Sequence, residues 1–289
     1  MGRLNKRKQT KERIRVQASG STSAALESEA NVSMDSKRRA SENNIVAPTN
    51  TALMQSEAIV MSAPRRRHAF ETNSLDHCET PLCAYEHIQP VLQHIARQLH
   101  VPPRQLRIWD PYYCDGAVKR HLSVLGFDNV INQNIDFYQR IKDNDIPPHD
   151  VIVTNPPYSE NHIEKLLHFV TSKNNKPFCL LMPNWVARKA EYSSLMGNAT
   201  NHLLYLSPIQ PYTYTMPSWN TKPEHVQETG ETTPYLSSWY ISFPDTATLT
   251  TMEKRLDSIA KRQQPPVWVV AKTVKGLKWK IQKANKKKE

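Results

Sequence analysis

Glycine is scarce in this chain, with 7 among 289 residues against 21 prolines. Few positions are free to adopt left-handed backbone, and the connections are stiff. No apolar run approaches the roughly 18–20 residues that a membrane-spanning helix needs, and no secretory leader is read at the start. Met1-Gly2 lacks a myristoylation pattern because Lys6 stands where Ser or Thr is required. Cys78, Cys83, Cys114 and Cys179 show no zinc-type pairing, so they read as reduced thiols in an intracellular protein. There is no P-loop, no internal repeat and no His/Cys constellation for a metal. His162 and His168 lack ligand spacing, and His162 is expected at the surface.

Charge is present in excess of one sign. The net charge is +11, but residues 1–70 carry 13 Lys/Arg against 6 Asp/Glu and residues 272–289 carry 8 against 1. The body is near neutral and the ends are basic, a distribution that suits a phosphate backbone or simply keeps a protein in solution. Residues 1–70 have no sustained apolar period and are expected to be disordered. Their clusters Lys6–Lys8, Lys37–Arg39 and Arg65–Arg67 read as nuclear-import signals or phosphate-binding arms, and Arg3 to Arg15 as a poor mitochondrial leader; nucleus, mitochondrion and cytoplasm stay open. The expected organisation is a basic N-terminal region (1–70), a folded domain (71–271) and a lysine-rich C-terminal tail (272–289), also disordered.

Order is expected from Phe70. In Tyr85, Ile88, Val91, Leu92, Ile95 and Leu99 the apolar residues recur at helical spacing, with Thr80 as the cap, Pro81 at the first helical position, and Pro90 marking a kink or the true first turn. Leu106–Asp110 reads as a first strand, Pro111–Ala117 as a tight loop, and Val118–Leu125 as a helix stopped by Gly126. Val130 and Ile131 belong to a second strand. Val151–Thr154 is a short buried strand ended by Asn155-Pro156-Pro157-Tyr158. Ser159 or Asn161 caps the helix that follows, Pro177–Pro183 is a buried strand, and Leu203–Leu206 and Leu236–Phe243 continue the sheet. A surface helix over 249–263 and an edge strand at Val267–Val270 complete the series.

The chemistry is expected at Asn155–Tyr158. Two prolines without N–H groups fix the turn and leave carbonyl oxygens pointing in preset directions. An exocyclic amine is a poor nucleophile while its lone pair is delocalised into the ring. Held by the Asn155 side-chain oxygen and the Pro156 carbonyl, its nitrogen can pyramidalise, with Tyr158 stacking on the ring.

The tetrapeptide resembles the Asn/Asp-Pro-Pro-Tyr motif of S-adenosylmethionine-dependent amino methyltransferases. Glu79-Thr80-Pro81, Asp110 to Gly116 and Asn155 to Tyr158 follow the γ order of the adenine-specific group, small eukaryotic-type members most of all, over roughly residues 76–245. The resemblance implies a class I, Rossmann-like α/β fold with a seven-stranded, mostly parallel sheet flanked by helices, and S-adenosyl-L-methionine as cofactor. It implies that Thr80 lies at the cofactor's methionine end, Asp110 orients its cationic portion, Tyr112 belongs to the cofactor loop, and Gly116 allows close backbone approach. Asp136 would accept from the cofactor's adenine amine, with Phe137 or Tyr138 packing on that ring. Asn132 and Asn134 stand where most members hold the ribose hydroxyls with an acidic residue, and Cys114 stands where glycine is frequent. The second βα unit is short. Trp185, Tyr212, Tyr214 and Trp219 are candidates for stacking a flipped or single-stranded base, or for ordinary packing. The implied reaction is methyl transfer to an adenine amine in DNA or RNA. A protein glutamine amide as acceptor, and a non-catalytic nucleic-acid-binding partner subunit, are the alternatives.

Overall fold

Val151–Thr154 is buried at all four residues, as a strand covered on both faces must be. Successive side chains go to opposite sides: Val151 and Val153 enter one hydrophobic cluster and Ile152 the other. The computed structural model describes residues 68–73, 76–217 and 236–286, all within the compact unit Ala63–Glu289. The unit Met1–Ser62, the three basic clusters and Trp219 lie outside the described residues.

In chain order the described elements are α1 (Leu82–Gln98), β1 (Ile108–Trp109), α2 (Ala117–Val124), β2 (Val130–Ile131), α3 (Phe137–Asp143), β3 (Val151–Thr154), α4 (His162–Ser172), β4 (Phe178–Pro183), α5 (Ala190–Met196), β5 (Leu203–Pro208), β6 (Ser237–Ser242), α6 (Thr246–Arg262), β7 (Trp268–Ala271) and α7 (Val274–Asn285). The seven strands form one sheet in the order β2-β1-β3-β4-β6-β5-β7. The α1, α2 and α6 core residues share one cluster, and those of α4, α5 and α7 share the other, so helices cover both faces.

The sheet is mixed, which corrects the expectation of a mostly parallel one. Three ladders are parallel (β1/β2, β1/β3, β3/β4) and three antiparallel (β4/β6, β5/β6, β5/β7). Strands β4 and β5 run in the same direction, but the reversed strand β6 lies between them, so they never pair. In the parallel half the chain steps outward from β1 to β2, then returns to the other side of β1 for β3. That reversal opens a crevice at the carboxyl ends of β1 and β3.

Three local expectations change. Helix α1 begins at Leu82 with Pro81 in the capping position and no side-chain cap, so Thr80 does not cap it, and the helix runs through Pro90. Asn161 precedes α4 without a capping bond, and the Ser159 hydroxyl is committed to Asp76 instead of the helix. The largest change is at the C-terminus. The lysine-rich stretch forms α7, capped by Thr273 Oγ1 on the Gly276 N–H at 3.1 Å. Val274, Leu277 and Ile281 recur at helical spacing and pack into the second cluster, and that stripe is what orders the segment.

Candidate active site

Strand β3 ends on Thr154, whose hydroxyl donates to Asp110 Oδ1 at 2.5 Å across the crevice; the Tyr112 N–H donates to the same oxygen at 3.2 Å. Asp110 is 7% exposed, and burial pushes its carboxyl up to about 8 against the opposing pull of these two bonds. The Asn132 amide donates to the carbonyls of Asp110 (3.2 Å) and Tyr112 (3.1 Å), tying the end of β2 to the loop. Asn132 is buried and its donors are spent on this loop, while Asn134 Oδ1 bonds His68 Nδ1 at 2.8 Å.

Asn155, half-buried at the end of β3, lines a cleft of about 230 Å³. Its other walls include Pro157, the loop Pro111–Cys114, Asp136, Phe137 and Tyr138, the segment Phe70–Asn73, and His162 and Lys165. Of the sequence-predicted cofactor residues, Tyr112, Asp136 and Phe137 therefore meet Asn155 in one cleft. Asp110 does not line it but immediately precedes the wall residues Pro111 and Tyr112. Thr80 is buried elsewhere, its carbonyl bonded to His121 Nδ1 at 3.1 Å. Gly116 takes φ +76° at the start of α2, with the Tyr113 ring 3.6 Å from where a Cβ would stand, and does not line the cleft.

The cleft's aromatic wall is cross-linked by hydroxyls. Tyr112 and Tyr138 are bonded at 3.1 Å, and Tyr138 is bonded to His162 Nδ1 at 2.5 Å. The Phe137 ring packs against Tyr112 at a centroid distance of 5.2 Å, and Lys165 Nζ sits 4.7 Å from the Tyr138 centroid. Asp136 Oδ1 caps α3 by accepting the Tyr138 N–H at 2.8 Å. His162 is thus a cleft residue, which corrects its assignment to the open surface.

Two acidic residues from the N-terminal side of α1 hold the site together. Asp76 Oδ1 accepts the N–H groups of Tyr158 (3.2 Å) and Ser159 (3.3 Å), and its Oδ2 accepts the Ser159 hydroxyl. Glu79 Oε1 accepts the N–H groups of Asp115 (2.6 Å) and Ala117 (3.3 Å), fixing the loop before α2. Asp76, His162 and Lys165 were not legible as site residues. Asp76 lies 82 positions from Tyr158, and no local pattern announces that contact.

Tyr158 donates its hydroxyl to Asn155 Oδ1 at 2.6 Å and to the Leu181 carbonyl at 3.3 Å. With Trp185 it lines a second slot of about 60 Å³ that shares no wall residue with the cleft. Trp185 is half-buried, with Lys189 Nζ 4.8 Å from its ring centroid. Tyr212 and Tyr214 are core residues, 6% and 3% exposed. Tyr212 bonds His87 Nδ1 at 2.7 Å, and burial pushes that imidazole down to about 4. These two tyrosines pack the connection onto the body and present no face to an incoming base.

Among the described residues no group of three His, Cys, Asp or Glu could hold a metal ion, and no helix is long and apolar enough to cross a membrane. No protein-family model matches the chain, and no curated protein is detectably similar to it.

Proposed function

We propose that the protein transfers a methyl group from S-adenosyl-L-methionine to an exocyclic amine, that of adenine in a nucleic acid. The observation that carries this reading is that Asn155 and Pro157 share one cleft with Asp136, Phe137 and Tyr112, at the point where strand order reverses. The cleft suits such a cofactor in chemistry. The rings of Tyr112 and Tyr138 line the cleft where a purine would pack, with Phe137, 3% exposed, behind them, and Glu71, Asp76 and Asp136 supply negative charge for a sulfonium and an ammonium group. The class I methyltransferase fold belongs to the same proposal: parallel strands β2-β1-β3-β4 with helices on both faces support it.

The cofactor supplies an electrophilic methyl carbon. Asn155 Oδ1 has one lone pair on the Tyr158 hydroxyl and a second for an amine hydrogen. The Pro156 carbonyl takes the other hydrogen. With the cofactor bound, the amine so held would take the methyl carbon as its C–S bond broke, and the methylated nitrogen would lose its proton to water. Positioning carries the rate, and no strong base is required. The slot beside Tyr158 and Trp185 measures about 60 Å³, so an acceptor base entering there would have to widen it.

Incubation with radiolabelled donor and separate DNA, RNA and protein fractions tests the reading by where label lands. Label confined to protein would move the assignment to a glutamine amide. One specific feature favours a second reading, a non-catalytic nucleic-acid-binding partner subunit: Asp110 is buried with a carboxyl that burial keeps protonated at neutral pH. Calorimetry without detectable cofactor binding, alongside retained oligonucleotide affinity, selects it.

A further inference from the structure

Helix α7 carries no acidic residue, yet it presents a tryptophan, Trp279, that is 58% exposed. With 3.6 residues per turn, Trp279 falls opposite the Val274, Leu277 and Ile281 stripe, and Lys275, Lys283 and Lys286 lie within about 40° of it around the axis. Lys283 Nζ sits 5.0 Å from the Trp279 ring centroid. Neighbouring Lys261, Lys272 and Lys280 are ion-paired to Asp257 or Glu253, whereas Lys275, Lys278, Lys283 and Lys286 make no ion pair among the described residues. The greater part of the indole surface thus faces solvent among ammonium groups that have no acidic partner in the described residues.

The surroundings extend this surface toward the candidate active site. A groove of about 370 Å³ between α6 and α7 is walled by Trp268 and Trp279. On the other flank of α7, Lys278 shares a groove of about 430 Å³ with Arg188 and Trp185. Trp185 in turn lines the slot beside Tyr158.

We propose that α7 is a docking surface for single-stranded nucleic acid. Bases stack on Trp279, the free lysines neutralise phosphates, and the strand runs past Lys278 and Arg188 toward Trp185 and Tyr158. Backbone cations interleaved with an aromatic platform match that ligand's two repeating groups. A bilayer surface fits less well, because the apolar stripe that would enter it is already packed on the sheet. A second copy of the chain would set like charges against each other. The direction of the path rests on the methyl-transfer reading; the binding surface does not.

Fluorescence anisotropy of a labelled single-stranded oligonucleotide, titrated with the full chain across a salt series, tests the proposal. Trp279→Ala is expected to weaken binding about tenfold, in line with one lost stacking platform. Replacing Lys275, Lys278, Lys283 and Lys286 together by Gln is expected to reduce the salt slope by about 3, from four lost phosphate contacts at roughly 0.7 each. Both sets are solvent-exposed, and an unchanged melting temperature verifies the fold. Binding within twofold of wild type in both variants overturns the proposal. So does tighter, Trp279-dependent binding to phosphatidylserine vesicles than to the oligonucleotide. Absence of methyl transfer by the wild type, with Trp279-dependent binding intact, removes the enzymatic reading and leaves this one standing.

Discussion

The Tyr158 hydroxyl donates to Asn155 Oδ1 at 2.6 Å, so the motif's last residue fixes the side-chain carbonyl of its first. The two are three positions apart on a turn stiffened by Pro156 and Pro157, and Asp76 holds the Tyr158 N–H from outside. Under the proposed reaction, the geometry that holds the amine would be set before substrate arrives.

Tyr158→Phe keeps the ring and removes that restraint. The expected outcome is a fall in kcat of about tenfold, the equivalent of roughly 1.4 kcal/mol and in the range for one hydrogen bond, with cofactor Kd unchanged within about twofold. Steady-state kinetics and calorimetry on the same preparation check it.

Glu79→Ala deprives the Asp115 and Ala117 N–H groups of their acceptor. A destabilisation of about 1–2 kcal/mol is expected, as for loss of a helix-capping side chain, together with weaker cofactor binding because the loop before α2 is released. Denaturant melts and calorimetry measure the two effects separately.

Asp110 gives a pH dependence of defined sign. Its folded carboxyl titrates near 8 and its unfolded one near 3.8, so over that window the folded state keeps a proton that the unfolded chain has lost. Its contribution to stability therefore falls as pH rises through the window and levels off above 8. Asp110→Asn preserves an acceptor for Thr154 and Tyr112 and cannot ionise, so its melting temperature should decline less than the wild type's between pH 6 and pH 9.

Leu277→Ala tests the C-terminal helix. Leu277 is 3% exposed, and its truncation is expected to cost about 2–4 kcal/mol. An effect below about 0.5 kcal/mol, the range for surface positions, would mean that α7 does not pack as described.

The elements legible in the sequence are those whose signal is local. The buried runs Val151–Thr154 and Phe178–Pro183 and the edge strand at Trp268–Ala271 carry β-branched or apolar residues between prolines and polar residues, and they form within a residue or two of expectation. What was not legible depends on partners distant in the chain. Strand pairing put β6 between β4 and β5, and nothing within either segment encodes that neighbour. The Tyr212 and Tyr214 run shows aromatic character in sequence but not burial. In α7 the apolar spacing was present, and the lysine content concealed it. At the site, Asn155 and Asp136 could be read from motifs, whereas Asp76 and His162 join it only through the fold.

The most direct measurement is mass spectrometry of nucleosides from DNA and RNA incubated with S-adenosyl-L-methionine and either wild type or Asn155→Ala. The account predicts methylated adenosine or deoxyadenosine with the wild type, and its loss in the variant while cofactor binding persists. Equal methylation by both proteins, or none by the wild type with cofactor bound, would contradict it.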